Sequence, residues 1–457
     1  MKKIFQKIGT VVLGTGLVCG NMTAELQAQR TPRPSRLATE TASPSHPVTA
    51  SETESRVEKL EKQAIELFQK EEFEKALLVL KQIQELDSTV APADMILARW
   101  FAEVGLEGGL RKQLESAVKD SPTDPEAYIV LAKIAVDESR IAEATLLLGR
   151  AQSLLEAYKA SPERKKALQQ QFLSTLAVFS EEKGDWKAVL GILQVQEKKA
   201  PEDLTLKIRM ALVYMNLQDP TNALAKLQEA YEQNSQMMPP EAIIAEFYFQ
   251  EGENEKSLQW METSLKKYPE NFKNQVKGAE ILFANGKIKE AQSAVTKVLQ
   301  LDPQSSEGIT LQGNLLLFEG KASEALEKYS QAIDFDSSNP QAGIGYIRAL
   351  LLQGGEKNSK EALGIASQLV AGFPQSIEFQ IHYAWALIAN GQKDTGLKLL
   401  QQLLPVWNPQ QDEACVVAIC LADQEDNSLA KNLLKAALEQ ENTFTLQFYA
   451  KQWQEKL

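Results

Sequence analysis

Few residues in this chain are of a type and spacing that could do chemistry. Only two His and three Cys occur in 457 residues. One His, His46, lies in a Pro- and Ser-rich stretch; the other, His382, lies near Trp385 in a segment of helical period. A lone imidazole cannot complete a metal site, which needs three or four ligands. Cys415 and Cys420 fall five residues apart in one predicted helix, a poor separation for a disulfide. Gly320-Lys321-Ala322-Ser323 has the ending of a phosphate-binding loop, but Leu315 stands where that loop needs its first Gly, and no strand precedes it. The Asp-Pro and Asp-Ser pairs, as at Leu301-Asp302-Pro303, lack calcium-loop spacing and read as turn residues. No Ser elbow and no Cys–His pair with a plausible base is present. The sequence therefore predicts no catalytic, cofactor-binding or metal-binding residues, and a protein that is not an enzyme.

Composition narrows the partner. Hydrophobic residues make up 44%, enough for a folded chain. The formal charge of −12 disfavours a phosphate backbone, so no nucleic acid is expected. No apolar run reaches the roughly 18 residues of a spanning helix.

The N-terminus reads as an address. Lys2, Lys3 and Lys7 precede an apolar stretch from Ile8 to Val18, and small residues follow down to Ala28. This is the layout of a secretory signal peptide, taken as 1–28, with no transmembrane segment left after cleavage. A lipoprotein anchored through Cys19 is the alternative, although Val18 is larger than the residue such signals place before the Cys. Residues 29–56 are rich in Pro, Ser and Thr and read as a disordered tether. The expected location is exported, in the periplasm or associated with the cell envelope.

The elements that would position any site come from a 34-residue repeat. A small residue early in a first helix is followed twelve positions later by a small residue in a second helix. Examples are Ala64 and Ala76; Ala132 and Ala144; Ala211 and Ala223; Ala245 and Ser257; Ala279 and Ala291; Gly313 and Ala325; Ala418 and Ala430. Two antiparallel helices can cross closely only where both carry small side chains. Gly often marks the turn between them, as in Gly252-Glu253-Asn254 and Gly286-Lys287-Ile288. Pro122, Pro201, Pro269, Pro303 and Pro374 close second helices. The frame predicts repeats one to three over 57–164, repeats four to eleven over 165–443, and a capping helix over 444–457. An insertion makes the second helix of repeat three about two turns longer than its neighbours. It marks a joint between the two blocks.

These residues resemble the tetratricopeptide repeat family. Leu131-Ala132 and Leu176-Ala177 in first helices, the small residue at the crossing and the terminal Pro all match it. The family's large aromatic early in the first helix is mostly missing, Tyr128 being the clearest occupant. The resemblance implies an all-α fold, a right-handed superhelical α-solenoid of about eleven antiparallel helix pairs with first helices lining a concave groove. It also implies a protein or peptide partner. The candidate groove residues are Leu212, Met215, Glu246, Phe249, Glu280, Phe283, Asn314, Phe318, Arg348, Trp385 and Ile388. The family's clamp for a C-terminal carboxylate is absent, since its Lys positions hold Ile129, Ile208, Ala242, Val276 and Ile344. The functional expectation is an exported scaffold, with envelope or polysaccharide-export assembly as its narrower form. The alternatives are a non-catalytic subunit of an envelope enzyme complex and a self-assembling structural array.

Overall fold

A residue in left-handed backbone conformation recurs through the chain and sets its punctuation. The computed structural model describes residues 50–457 except 160, 409, 425 and 426, with side chains from 55 onward. The expected signal peptide and most of the expected tether lie outside the described residues. Glu71, Gly105 and Ser139 have φ of 59°, 71° and 58°, at intervals of 34. Gly184, Gln218, Gly252, Gly286, Gly320 and Gly354 repeat the conformation on the same spacing. At Gly286 the Lys287 N–H reaches Leu282 O at 2.8 Å, a bond that closes a helix and reverses the chain. Six first helices start at side-chain caps. Asn271 accepts from the Asn274 N–H at 2.9 Å, and Ser305 from the Gly308 N–H at 2.9 Å. The Asp residues between hairpins are turn residues, as Asp302 and Asp336 accept from the N–H two positions on.

This punctuation yields 23 helices and no strand among the described residues. The first unit ends at Lys226 and the second is Leu227–Leu457. The first contains α1 (Ala50–Gln69) with α2 (Phe73–Leu86), α3 (Ala93–Glu103) with α4 (Glu107–Asp120), α5 (Glu126–Asp137) with α6 (Ile141–Ala157), and α7 (Pro162–Glu182) with α8 (Trp186–Glu197). Helix α9 (Leu204–Asn216) follows, and the boundary falls inside α10 (Pro220–Gln233). The second unit continues with α11 (Pro240–Gln250) and α12 (Asn254–Lys267), α13 (Phe272–Ala284) and α14 (Ile288–Leu301), and α15 (Ser306–Phe318) and α16 (Ala322–Phe335). Then come α17 (Pro340–Gln353) and α18 (Glu356–Gly372), α19 (Ile377–Ala389) and α20 (Lys393–Leu403), α21 (Gln411–Leu421) and α22 (Ser428–Glu439), and a final α23 (Gln447–Lys456).

Burial follows the repeat frame. Ala64, Ala76, Ala132, Ala144, Ala211, Ala223, Ala245, Ser257, Ala291, Ala325, Ala418 and Ala430 are all at 0% exposure. Ser257 is polar at a crossing that holds Ala elsewhere, and its hydroxyl donates to Ala245 O at 2.8 Å. The tightest crossing surrounds Tyr329, which is fully buried. A Cβ on Gly313 would lie 2.6 Å from its ring, and one on Gly345 would lie 2.2 Å away. The Tyr329 hydroxyl donates to Asn314 Oδ1 at 2.7 Å, which fixes the ring between the two glycines.

Three sequence expectations differ from the structure. Helix α1 begins at Ala50, so it takes in the last residues of the segment expected to be a tether. The insertion lengthens α6 to 17 residues, about one turn beyond the 14 of α4, and gives the rest to α7, which has 21. The reason is Ser161-Pro162: the Ser side chain caps α7 by accepting from the Arg164 N–H, and Pro fits the first helical turn. The expected joint near Tyr158 lies within the first unit, and the division comes at 226/227. Arg164 explains this. Its guanidinium binds Asp124 at 2.5 Å, Glu126 at 2.7 Å and the Tyr158 hydroxyl at 2.6 Å, pinning α7 to the start of α5.

Candidate functional site

The second unit places its first helices side by side: α11 on α13, α13 on α15, α15 on α17, α17 on α19 and α19 on α21. Most of the groove candidates from the sequence lie on this row. Phe249, Phe283, Asn314, Phe318 and Ile388 are half-buried, and Glu280 is exposed. The Phe283 and Phe318 rings meet edge to face at 5.4 Å. Phe283, Asn314 and Glu280 also line a cavity of about 110 Å³, closed on one side by Thr445.

Other candidates are not available to a partner. Leu212 and Met215 are buried in the first unit, at 5% and 2% exposure. Glu246 is buried and bound to Lys277 at 3.1 Å; Lys277 also binds Glu280 at 2.6 Å. Burial opposes the Lys277 charge, but the Glu280 and Glu246 carboxylates outweigh it and raise its pKa. Trp385 is buried at 5% exposure in the same core cluster as Leu351 and Val416. Placing these four residues in the groove lining is therefore corrected. Helical period puts them on the inward stripe, but it does not show that the surrounding packing leaves them buried.

Arg348 is corrected too, and for a different reason. It is buried and reaches over α19 to α21, pairing with Asp412 at 3.1 Å and Glu413 at 3.4 Å. Its Nε donates to His382 Nε2 at 2.9 Å, while His382 Nδ1 lies 2.8 Å from Glu378 O and donates to it. Burial, and then the Arg348 charge, push the His382 pKa down to about 3, so the ring is neutral. Glu413 moves the other way: burial pushes its carboxyl up to about 7 against the pull of Arg348. Its Oε2 is buried without a partner. The cluster is a structural crosslink between three first helices. No group of three or more His, Cys, Asp or Glu residues suited to a metal occurs among the described residues.

What the sequence does not reveal is the route of the C-terminus. The expected capping helix starts at 447, and residues 440–446 are not helical. They run back along the turn ends of earlier hairpins. The Asn254 amide donates to Asn442 Oδ1 at 2.8 Å, and the Thr443 N–H donates to Ala284 O at 2.7 Å. Phe444 and Leu446 are buried at 5% and 0% exposure, in one cluster with Leu317, Leu351 and Trp385. The Leu446 N–H donates to Asp412 Oδ1 at 2.7 Å, and Gln411 donates to Asn442 O at 2.8 Å. The Phe448 ring covers Gly320, where a Cβ would lie 2.5 Å from it. The one sequence signal for this is Thr443-Phe444-Thr445-Leu446, four residues alternating polar and apolar in a stretch read as helix.

Most hairpins repeat at 34 residues, bury small side chains at the same crossing positions and turn at the same left-handed position. The fold is a tetratricopeptide-repeat fold. No protein-family model matches the chain. It is similar to human tetratricopeptide repeat protein 21B, with 25% identity over 118 residues, and to the mouse protein, with 28%. That match takes in 26% of this chain and only 9% of those proteins. Among solved structures, yeast Tom70 aligns over 83% of this chain and 99% of its own, at 13% identity and a TM-score of 0.36. A tetratricopeptide repeat protein from Parabacteroides merdae covers 55% of this chain and 97% of its own, at 13% identity and a TM-score of 0.39. No described helix is long and apolar enough to cross a membrane.

Proposed function

We propose that this protein is a non-catalytic scaffold that binds a protein or peptide along the first helices of its second unit. The observation that carries this is the row of Phe249, Phe283 and Phe318 on adjacent first helices. All three are half-buried, beside the exposed carboxylate of Glu280. Such a row of apolar side chains edged by charge suits the apolar side of a peptide. The leader 1–28 supports export to the periplasm or cell envelope, with envelope or polysaccharide-export assembly as the process served. Cleavage after Ala28, read by mass spectrometry of the exported chain, tests the address. Recovery of partners from envelope extracts tests the groove. Phe249→Glu with Glu280→Lys abolishes recovery while the helical signal is kept, and equal recovery by wild type and variant refutes this seat.

A second reading, self-assembly, has one observation in its favour. Phe335, Phe373 and Val406 are exposed at 44%, 49% and 68%, at the ends of second helices in three successive hairpins. Light scattering separates it: a monomer at working concentration excludes the array.

A further inference from the structure

The turn ends of the hairpins from α11 to α16 are already covered by the chain itself, and Thr445 reaches the cavity between their helices. Residues 442–448 pass three hairpins in order. Asn442 meets Asn254 at the first turn, Thr443 meets Ala284 at the second, and Phe448 covers Gly320 at the third. Each partner lies within two residues of a left-handed turn position, Gly252, Gly286 or Gly320, so the tail passes the turns of three successive hairpins. Between the turns Thr445 closes the cavity lined by Phe283, Asn314 and Glu280.

This seat has the features of peptide recognition rather than of a simple end cap. It uses backbone bonds, Thr443 N–H to Ala284 O and Leu446 N–H to Asp412 Oδ1, which read chain direction and not sequence. It adds buried apolar anchors at Phe444 and Leu446, with small polar residues at Thr443 and Thr445 between them. A terminal cap need only cover the last hairpin. This tail instead ties the hairpin α21–α22 to hairpins more than 90 residues earlier in the chain, such as that containing Gly320.

We propose that residues 442–448 are a displaceable occupant of this groove, and that its partner is a peptide of the same chemistry, Thr–aromatic–Thr–aliphatic, that turns as the tail does at Phe444–Gln447 and competes with it. The identity of the partner rests on the groove reading above; the seating of the tail does not. The full chain, with a protease site placed in the exposed stretch 439–441, provides the test. After cutting, the tail remains held by its contacts alone, and a fluorescent peptide of residues 442–457 is added. The proposal expects the cut chain to bind the peptide saturably, releasing its own tail, and the uncut chain to bind at least tenfold more weakly. A peptide with Phe444→Ala and Leu446→Ala loses binding. Equal binding to cut and uncut chains overturns the occupancy. If the cut chain stays folded and neither loses its tail nor takes up the peptide, displacement is overturned. If cutting unfolds the chain, hydrogen exchange on the uncut protein decides: the Thr443 and Leu446 amides must exchange faster than the amides of α13. Exchange as slow as the core overturns displacement. A tail that is displaceable while no partner with this pattern is recovered leaves the seat intact and removes the partner assignment.

Discussion

Gly345→Ala separates a packed tetratricopeptide crossing from generic helix pairing, because two effects of known size oppose each other there. Gly345 lies inside α17, where Ala is intrinsically better by about 1 kcal/mol. Propensity alone therefore predicts stabilisation. The structure predicts the opposite. The new Cβ would lie 2.2 Å from the Tyr329 ring, well inside any real contact. The ring cannot retreat: Gly313 backs it, with a Cβ distance of 2.6 Å, and its hydroxyl is held by Asn314 at 2.7 Å. Overpacking a rigid site costs about 1–3 kcal/mol, and this collision falls at the upper end. The net expectation is a loss of about 1–2 kcal/mol after the propensity gain. Gly364→Ala is the control. It lies in α18 with open space where the Cβ goes, and should stabilise by about 0.5–1 kcal/mol. Tyr329→Leu should lessen the penalty of Gly345→Ala, giving a favourable coupling in a double-mutant cycle. Denaturant unfolding of these variants measures all of this. Gly345→Ala as stabilising as Gly364→Ala refutes the packing reasoning.

Other outcomes follow from buried charge and burial. Glu413 has a folded pKa near 7 against an ordinary value of 4.5. A raised carboxyl pKa favours the folded state at low pH, and that contribution is lost as pH rises from about 4.5 through 7. Glu413→Gln removes the loss, so its stability should gain on wild type as pH rises, by an effect on the order of 3 kcal/mol. In the first unit, burial raises the Glu126 pKa, but Arg99 and Arg164 outweigh it and hold the carboxylate ionised. Arg164→Ala leaves Asp124 and Glu126 short of a cation and should cost about 3–5 kcal/mol in thermal or denaturant unfolding. Burial raises the pKa of Cys415 and Cys420. Both should resist a thiol reagent at pH 8 and react fully once the chain is unfolded.

The fold was legible because one spacing rule repeats. Ala64, Ala132, Ala211 and Ala418 stand where two helices must touch, and no larger side chain fits. The candidate site was only partly legible. Helical period says which residues face inward, as with Phe249 and Phe283. It cannot say how closely the next helix approaches, so Trp385, Leu212, Met215 and Glu246 read as groove and are core. Arg348 failed for a related reason. Its partners Asp412 and Glu413 lie more than 60 residues on, and only the stacking of α17, α19 and α21 brings them together. The tail was least legible. Asn442 and Asn254 are 188 residues apart, and nothing local marks them as partners.

That last pair offers the most direct test that this array holds its own C-terminus in its groove. Asn254→Cys with Asn442→Cys places two half-buried thiols where the native amides meet at 2.8 Å. The native Cys415 and Cys420 are buried, and Cys19 is replaced by Ser so that a chain retaining residues 1–28 carries no further thiol. A short bis-maleimide added to the folded full chain should link the two introduced thiols within one molecule. The linked peptides are read by mass spectrometry, and excess peptide of residues 442–457 should slow the reaction. Single-thiol labelling at both positions without a crosslink contradicts the account.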